Sequence, residues 1–197
     1  MTFEFYEKYK YKIKTLDELK VEIGSFPRDK KVIICHGCFD VVHPGHIHHL
    51  AYAKSKANVL VVSITSDRFV KKGDDRPHVP EDLRALNLAV FEMVDHVIID
   101  DHASPISNLK KIQPDYFAKG FEYVEDSLPP LTQEEMEVIK QYGGEMLFTP
   151  GNVVYSSTEL INAAKPEIRV ERLISLMQNH DISFDKLIQI VSSLSGY

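Results

Sequence analysis

Residues 31–46 read KVIICHGCFDVVHPGH. A continuous apolar run, Lys31–Cys35, gives way to a glycine-bearing turn and then to His43-Pro44-Gly45-His46 at the head of an amphipathic stretch over 45–57. An unbroken β-branched run fits a strand covered on both faces, as in a parallel sheet. Pro44 suits the first turn of a helix, where its missing N–H has no partner to lose. Strand, turn and helix therefore follow in the order of a phosphate-binding α/β unit. Free amides and the positive end of a helix dipole lie at the strand's carboxyl end, beside imidazoles. Gly37 is expected to supply an unusual backbone conformation where a ligand approaches.

Outward from this unit the pattern repeats. Four further strands are expected at Val59–Ile64, His96–Ile99, Asp115–Ala118 and Glu145–Phe148, separated by helices at roughly 45–57, 81–93, 105–113 and 132–141. The alternation predicts a doubly wound, Rossmann-like α/β fold with a five-stranded parallel sheet and its ligand at the carboxyl ends of the strands. Residues 1–30 form a polar lead-in with one expected helix, opened by the capping box Thr15-Leu-Asp-Glu18 and closed by Gly24 and Pro27. This α/β domain is expected over 31–164. A helical tail follows over 165–197, where two apolar stripes suit helices packed on the domain, a dimerisation element or a link to another domain.

The chain has 197 residues, 44% hydrophobic and 26% charged, enough for one domain with a real core. Its net charge of −6 argues against a sequence-independent grip on nucleic acid. Apolar runs fall far short of the ~20 residues a membrane span needs. The charged start shows no signal core, and two cysteines make no disulfide framework, so a reduced, cytoplasmic setting is expected.

Five of the nine histidines fall between His36 and His49. His43 and His46, three apart, share a helix face and can both reach one phosphoryl group. Fixed donors there would stabilise the charge that spreads over phosphoryl oxygens during displacement. Zinc binding by the cluster and a redox pair at Cys35-His-Gly-Cys38 are the competing uses. His48 and His49 read as ordinary helix residues, and Asp40 as an anchor of the turn. Lys71 and Lys72, with Gly73 and Arg76, make a loop suited to cover polyphosphate. Lys119 and Gly120 point from a strand's carboxyl end into the expected cleft. Ser156 and Glu159 can form a capping box, a geometry that also holds phosphate.

GCFDVVHPGH resembles the HxGH signature of the nucleotidyltransferase superfamily, and Ser156-Ser157-Thr158 through Ile161 resembles its second signature. The resemblance runs over residues 15–164 and is strongest to the nucleotidyltransferase domain of ADP-heptose synthesis and related surface-polysaccharide enzymes. It implies transfer of CMP or AMP from CTP or ATP to a sugar phosphate, such as a heptose 1-phosphate, with pyrophosphate released. His43, His46 and Lys72 would be catalytic. Gly37, Cys38, Phe39, Asp40, Gly45, Arg84, Lys119, Gly120, Ser156, Ser157 and Thr158 would bind nucleotide. Mg²⁺ is the implied cofactor, accompanying the triphosphate, with no protein metal ligands expected. A homodimer and a fused or separate sugar kinase are implied partners. Phe121-Glu122 replaces the Gly-Asp of the heptose enzymes, and no arginine precedes Ser156 as it does in polyol-phosphate cytidylyltransferases. A polyol phosphate acceptor and a non-catalytic nucleotide-binding module are the alternatives.

Overall fold

The computed structural model describes residues 3–71, 76–120, 128–150 and Lys186. Chain contacts divide the protein into two units, residues 1–154 and 155–197. The first holds the described elements: α1 (Phe3–Lys10), α2 (Leu16–Ile23), β1 (Val32–Gly37), α3 (Pro44–Lys56), β2 (Val59–Thr65), α4 (Glu81–Ala89), β3 (His96–Asp100), α5 (Ile106–Ile112), β4 (Tyr116–Lys119), α6 (Pro130–Gln141) and β5 (Glu145–Phe148). One 3₁₀ turn, Asp67–Phe69, follows β2.

All strand pairs are parallel, in the order β3-β2-β1-β4-β5. The order reverses between β1 and β4, which opens the crevice typical of this fold at their carboxyl ends. Strand alternation sorts the side chains into two cores. Ile33 and Cys35 pack with Leu50 and Ala53 of α3 and with Ala85 and Leu88 of α4. Val32 and Ile34 pack with Leu19 of α2, Leu109 and Ile112 of α5, and Val138 and Ile139 of α6. Each fully buried Leu or Ile contributes about 1.5–3 kcal/mol. His36 thus emerges on the α5/α6 side of β1, and Gly37 on the α3/α4 side.

The lead-in holds two helices, not one. The Thr15 capping box forms as expected, and Gly24 ends α2 with φ 73°. α1 precedes it and packs on α4. Between them Ile13 bridges Val97, with Lys14 N–H donating to the Val97 carbonyl and Val97 N–H to Lys12. This bridge covers the outer edge of β3, where unpaired backbone would otherwise invite aggregation. Lys12 also sets the end of α4. Its ammonium donates to the carbonyls of Phe91 (3.0 Å) and Val94 (2.7 Å), and the helix closes at Ala89 rather than running to 93.

Candidate active site

The β1 exit, the start of α3 and the β4 exit converge at the switch in strand order. Cys35 pairs with Ala118, so Gly37 and Cys38 leave the sheet beside Lys119 and Gly120. The unusual backbone falls on Phe39 (φ 51°), not on Gly37. Gly37 is needed for space instead: a Cβ there would lie 3.2 Å from the Phe39 ring. That ring turns inward to the core and lies 4.9 Å from the His46 ring, so Phe39 backs that imidazole.

His43 is the N-cap of α3, and its Nδ1 accepts the Gly45 N–H at 3.1 Å. Accepting at Nδ1 places the neutral ring's proton on Nε2, which makes that nitrogen a donor. The His46 ring stacks on it, centroids 3.8 Å apart and planes 28° apart. A paired-imidazole surface at a helix N-terminus can stabilise an oxyanion developing on phosphorus.

Asp40 reaches beyond its own turn. Its carboxylate is buried, accepts the amides of His78 and Val79, and pairs with Arg76 at 2.5 Å. Burial works to raise this carboxyl, but the two amides and the guanidinium outweigh it and hold it below the usual carboxylate range. Asp40 thus fixes the segment that leads into α4, with Oδ1 taken by the two amides and Oδ2 paired to Arg76. Arg84 departs from the implied role of nucleotide ligand. It is fully buried and donates to the carbonyls of Val79, Cys38 and Thr65 and to Asp67. A guanidinium sealed in this way braces the turn.

Lys119 lies at the crevice, but its ammonium turns to α6, where it contacts Glu135 and the Thr132 hydroxyl. Burial raises the Glu135 carboxyl despite this partner. Lys72, Ser156, Ser157 and Thr158 lie outside the described residues.

Burial pushes the Cys35 thiol up, which removes the thiolate a redox pair requires. Among the described residues no three His, Cys, Asp or Glu side chains are grouped to hold a metal ion. None of the described helices is long and apolar enough to cross a membrane. An open hollow of about 370 Å³ beside the turn is lined by Asp40, Val41, Val42, Val79, Asn87 and Phe91, and its lining holds neither imidazole.

Two other histidines are tied into the site's walls. His49 Nδ1 lies 2.5 Å from the Thr149 hydroxyl, joining α3 to the exit of β5. His36 Nδ1 lies 3.0 Å from the Ser63 hydroxyl, and its Nε2 is 3.3 Å from that of Thr65. Burial lowers both imidazoles to about 4, helped at His36 by Lys119 and at His49 by His48. The unfolded chain takes up protons at these rings near pH 6.5 and the native chain near pH 4. The stability they support is therefore complete above about pH 6.5 and is lost as pH falls toward 4, at up to about 1.4 kcal/mol per pH unit for each ring. Urea titrations at pH 7 and pH 5 are expected to show the lower midpoint at pH 5, with His49→Gln reducing the difference.

Sequence reasoning also missed a polar pair on β3 and its exit. Asp100 is fully buried, and its Oδ1 lies 2.8 Å from Nδ1 of His102. The available signal was an acidic residue closing an apolar strand run, at the edge where such folds bind ligands.

A switched parallel sheet thus carries paired imidazoles at the head of the helix after β1. The chain belongs to the cytidylyltransferase-like family, whose model matches residues 34–163. The bifunctional protein HldE of Campylobacter concisus is 41% identical over 117 residues, 58% of this chain and 25% of that protein. HldE of Geobacter metallireducens is 36% identical over 138 residues, 68% of this chain and 27% of that protein. The chain thus spans about a quarter of the length of these relatives. Among solved structures, the lipopolysaccharide core biosynthesis protein of Thermoplasma volcanium GSS1 shares the fold at 22% identity and a TM-score of 0.53, covering 62% of this chain and 98% of that one. A pantoate-beta-alanine ligase of Francisella tularensis shares it at 15% identity and a TM-score of 0.52, covering 78% and 76%.

Proposed function

We propose that this protein transfers CMP or AMP from CTP or ATP to a sugar phosphate, of the heptose 1-phosphate kind, and releases pyrophosphate. The observation that carries this reading is the His43–His46 ring pair, 3.8 Å apart beside the N-terminus of α3. Similarity to HldE supports the choice of a sugar phosphate. A phosphate oxygen of the acceptor attacks the α-phosphorus in line. The new P–O bond forms as the bond to the β-phosphate oxygen breaks, and pyrophosphate leaves with that electron pair. His43 Nε2 and the His46 ring bear on the non-bridging oxygens, where charge builds. Lys119, already balanced by Glu135, acts as a positioned donor at the β1/β4 crevice rather than as an unmatched charge. Lys72, Ser157 and Thr158 would hold the remaining phosphates.

Mg²⁺ would offset triphosphate charge. No step is assigned to it. A sugar kinase, fused or separate, would supply the acceptor. The test is pyrophosphate release with each nucleoside triphosphate against a panel of sugar 1-phosphates and polyol phosphates. Release is expected with CTP or ATP and a sugar phosphate. Nucleotide binding without release for any pair would leave a non-catalytic binding module, and preference for glycerol phosphate would reassign the acceptor.

A further inference from the structure

We propose that His102, oriented by the buried carboxylate of Asp100, contacts a hydroxyl group of the acceptor. The inference rests on the transferase reading above and narrows its acceptor to a polyhydroxylated phosphate. It begins with a contrast within the sheet. On the α5/α6 face, Ile34, Val61 and Ile98 are sealed in the core. Two residues further along each strand, the same face carries His36, Ser63 and Asp100, with Thr65 opposite Asp100 in register. Polar groups therefore run across the carboxyl edge of three strands. Packing does not require them there, since burying a carboxylate and an imidazole is costly where apolar residues would suffice.

Asp100 is fully buried, and its Oδ2 lacks a hydrogen-bond partner. His36 Nδ1 lies 3.9 Å from that oxygen. Burial raises the Asp100 carboxyl, while hydrogen bonds from His102 and Asn108 act to lower it. A short local turn accounts for part of this, because Asp100 also accepts the backbone amide of His102. A turn explains Oδ1. It does not explain a second oxygen left against His36, or the polar row behind it. The adjacent Asp101 is used separately: it accepts the Ser66 hydroxyl and pairs with Arg68.

The pairing sets what His102 can do. Donation of the Nδ1 proton to Asp100 leaves Nε2 with its lone pair, so the outer nitrogen accepts a proton rather than giving one. The side chain is 43% exposed, whereas that of Asp100 is 0% exposed. His102 can therefore touch a ligand, and Asp100 is a positioning residue that acts through it. An accepting nitrogen suits a hydroxyl and is poorly matched to a second phosphate oxygen. Its strand also fits this role. β3 lies two strand spacings from β1, about 10 Å, and β1 delivers the imidazole pair. An acceptor whose phosphate lies at that pair can extend its sugar ring along the polar row toward β3.

Kinetics of the full chain test this, using the sugar 1-phosphate that turns over fastest in the panel and its monodeoxy analogues. His102→Ala is expected to raise the acceptor KM about tenfold, the effect of one lost hydrogen bond, with the nucleotide KM unchanged. Asp100→Asn keeps an acceptor oxygen for the turn but loses the charge, and is expected to raise the acceptor KM by a smaller factor. One monodeoxy acceptor should lose as much with the wild type as His102→Ala does, and nothing further with the variant. His102→Gln serves if the alanine variant does not fold. An unchanged acceptor KM in a folded variant overturns the inference. So does a parallel rise of both KM values with a lower melting temperature, which would mark a purely structural pair. Absence of pyrophosphate release by the wild type with every pair would instead overturn the transferase reading, and this inference with it.

Discussion

His46→Ala is expected to lower kcat/KM about 10²–10³-fold, the loss of about 3–4 kcal/mol that follows removal of one well-placed donor to a developing oxyanion. The site's construction makes this substitution informative. His46 lies in the first turn of α3 but does not cap it, because the cap is His43, whose Nδ1 accepts the Gly45 amide. Removing the His46 ring vacates space beside Phe39 and above the His43 ring without exposing a helix amide. The fold should therefore survive with little change in melting temperature. His43→Ala would confound two effects, since loss of an N-cap alone costs about 1 kcal/mol. His43→Asn keeps a capping oxygen and removes the Nε2 donor, so it should reproduce the His46→Ala kinetics in a stable protein. Steady-state pyrophosphate release beside a thermal melt checks both. Turnover within twofold of wild type in a folded His46→Ala protein would take His46 off the reaction.

The strands were legible because their signal is local. β2 and β3 are built on the continuous apolar runs Val59–Val62 and Val97–Ile99, and a parallel sheet buried on both faces demands that pattern. The start of α3 was legible for the same reason, with Pro44 at its head and histidines on either side. What escaped reading depends on contacts between distant segments. α1 is only eight residues long, and its place on α4 is a tertiary matter. Lys119 and Glu135 meet only because β4 and α6 pack together. Arg84 beside a basic loop looks like a phosphate ligand in one dimension. Its burial follows from three carbonyls, on the β1 exit, the end of β2 and the approach to α4, that converge only after the sheet is assembled. Asp40 gives the same lesson: it reads as the anchor of a local turn, yet its amide partners lie at 78 and 79.

Arg84→Met is expected to destabilise the protein by about 3–5 kcal/mol, the range for breaking a buried, hydrogen-bonded charge by removing one partner. The side chain is 0% exposed, while Asp67 is 41% exposed. Water can therefore solvate much of the abandoned carboxylate, which draws the expectation toward 3 kcal/mol. The larger part of the loss comes from the carbonyls of Cys38, Thr65 and Val79, which methionine cannot satisfy. Arg84→Lys separates charge from geometry. An ammonium retains the attraction to Asp67 but cannot span three carbonyls and a carboxylate as the planar guanidinium does. It should recover only part of the stability. The Cys38 carbonyl belongs to the turn that carries His43 and His46, so a loosened turn should also lower kcat more than it raises the nucleotide KM. Urea denaturation with an unchanged m-value, read beside that kinetic split, checks the assignment. A lysine variant with wild-type stability and a nucleotide KM raised at constant kcat would mean that residue 84 faces the substrate instead of bracing the turn beneath it.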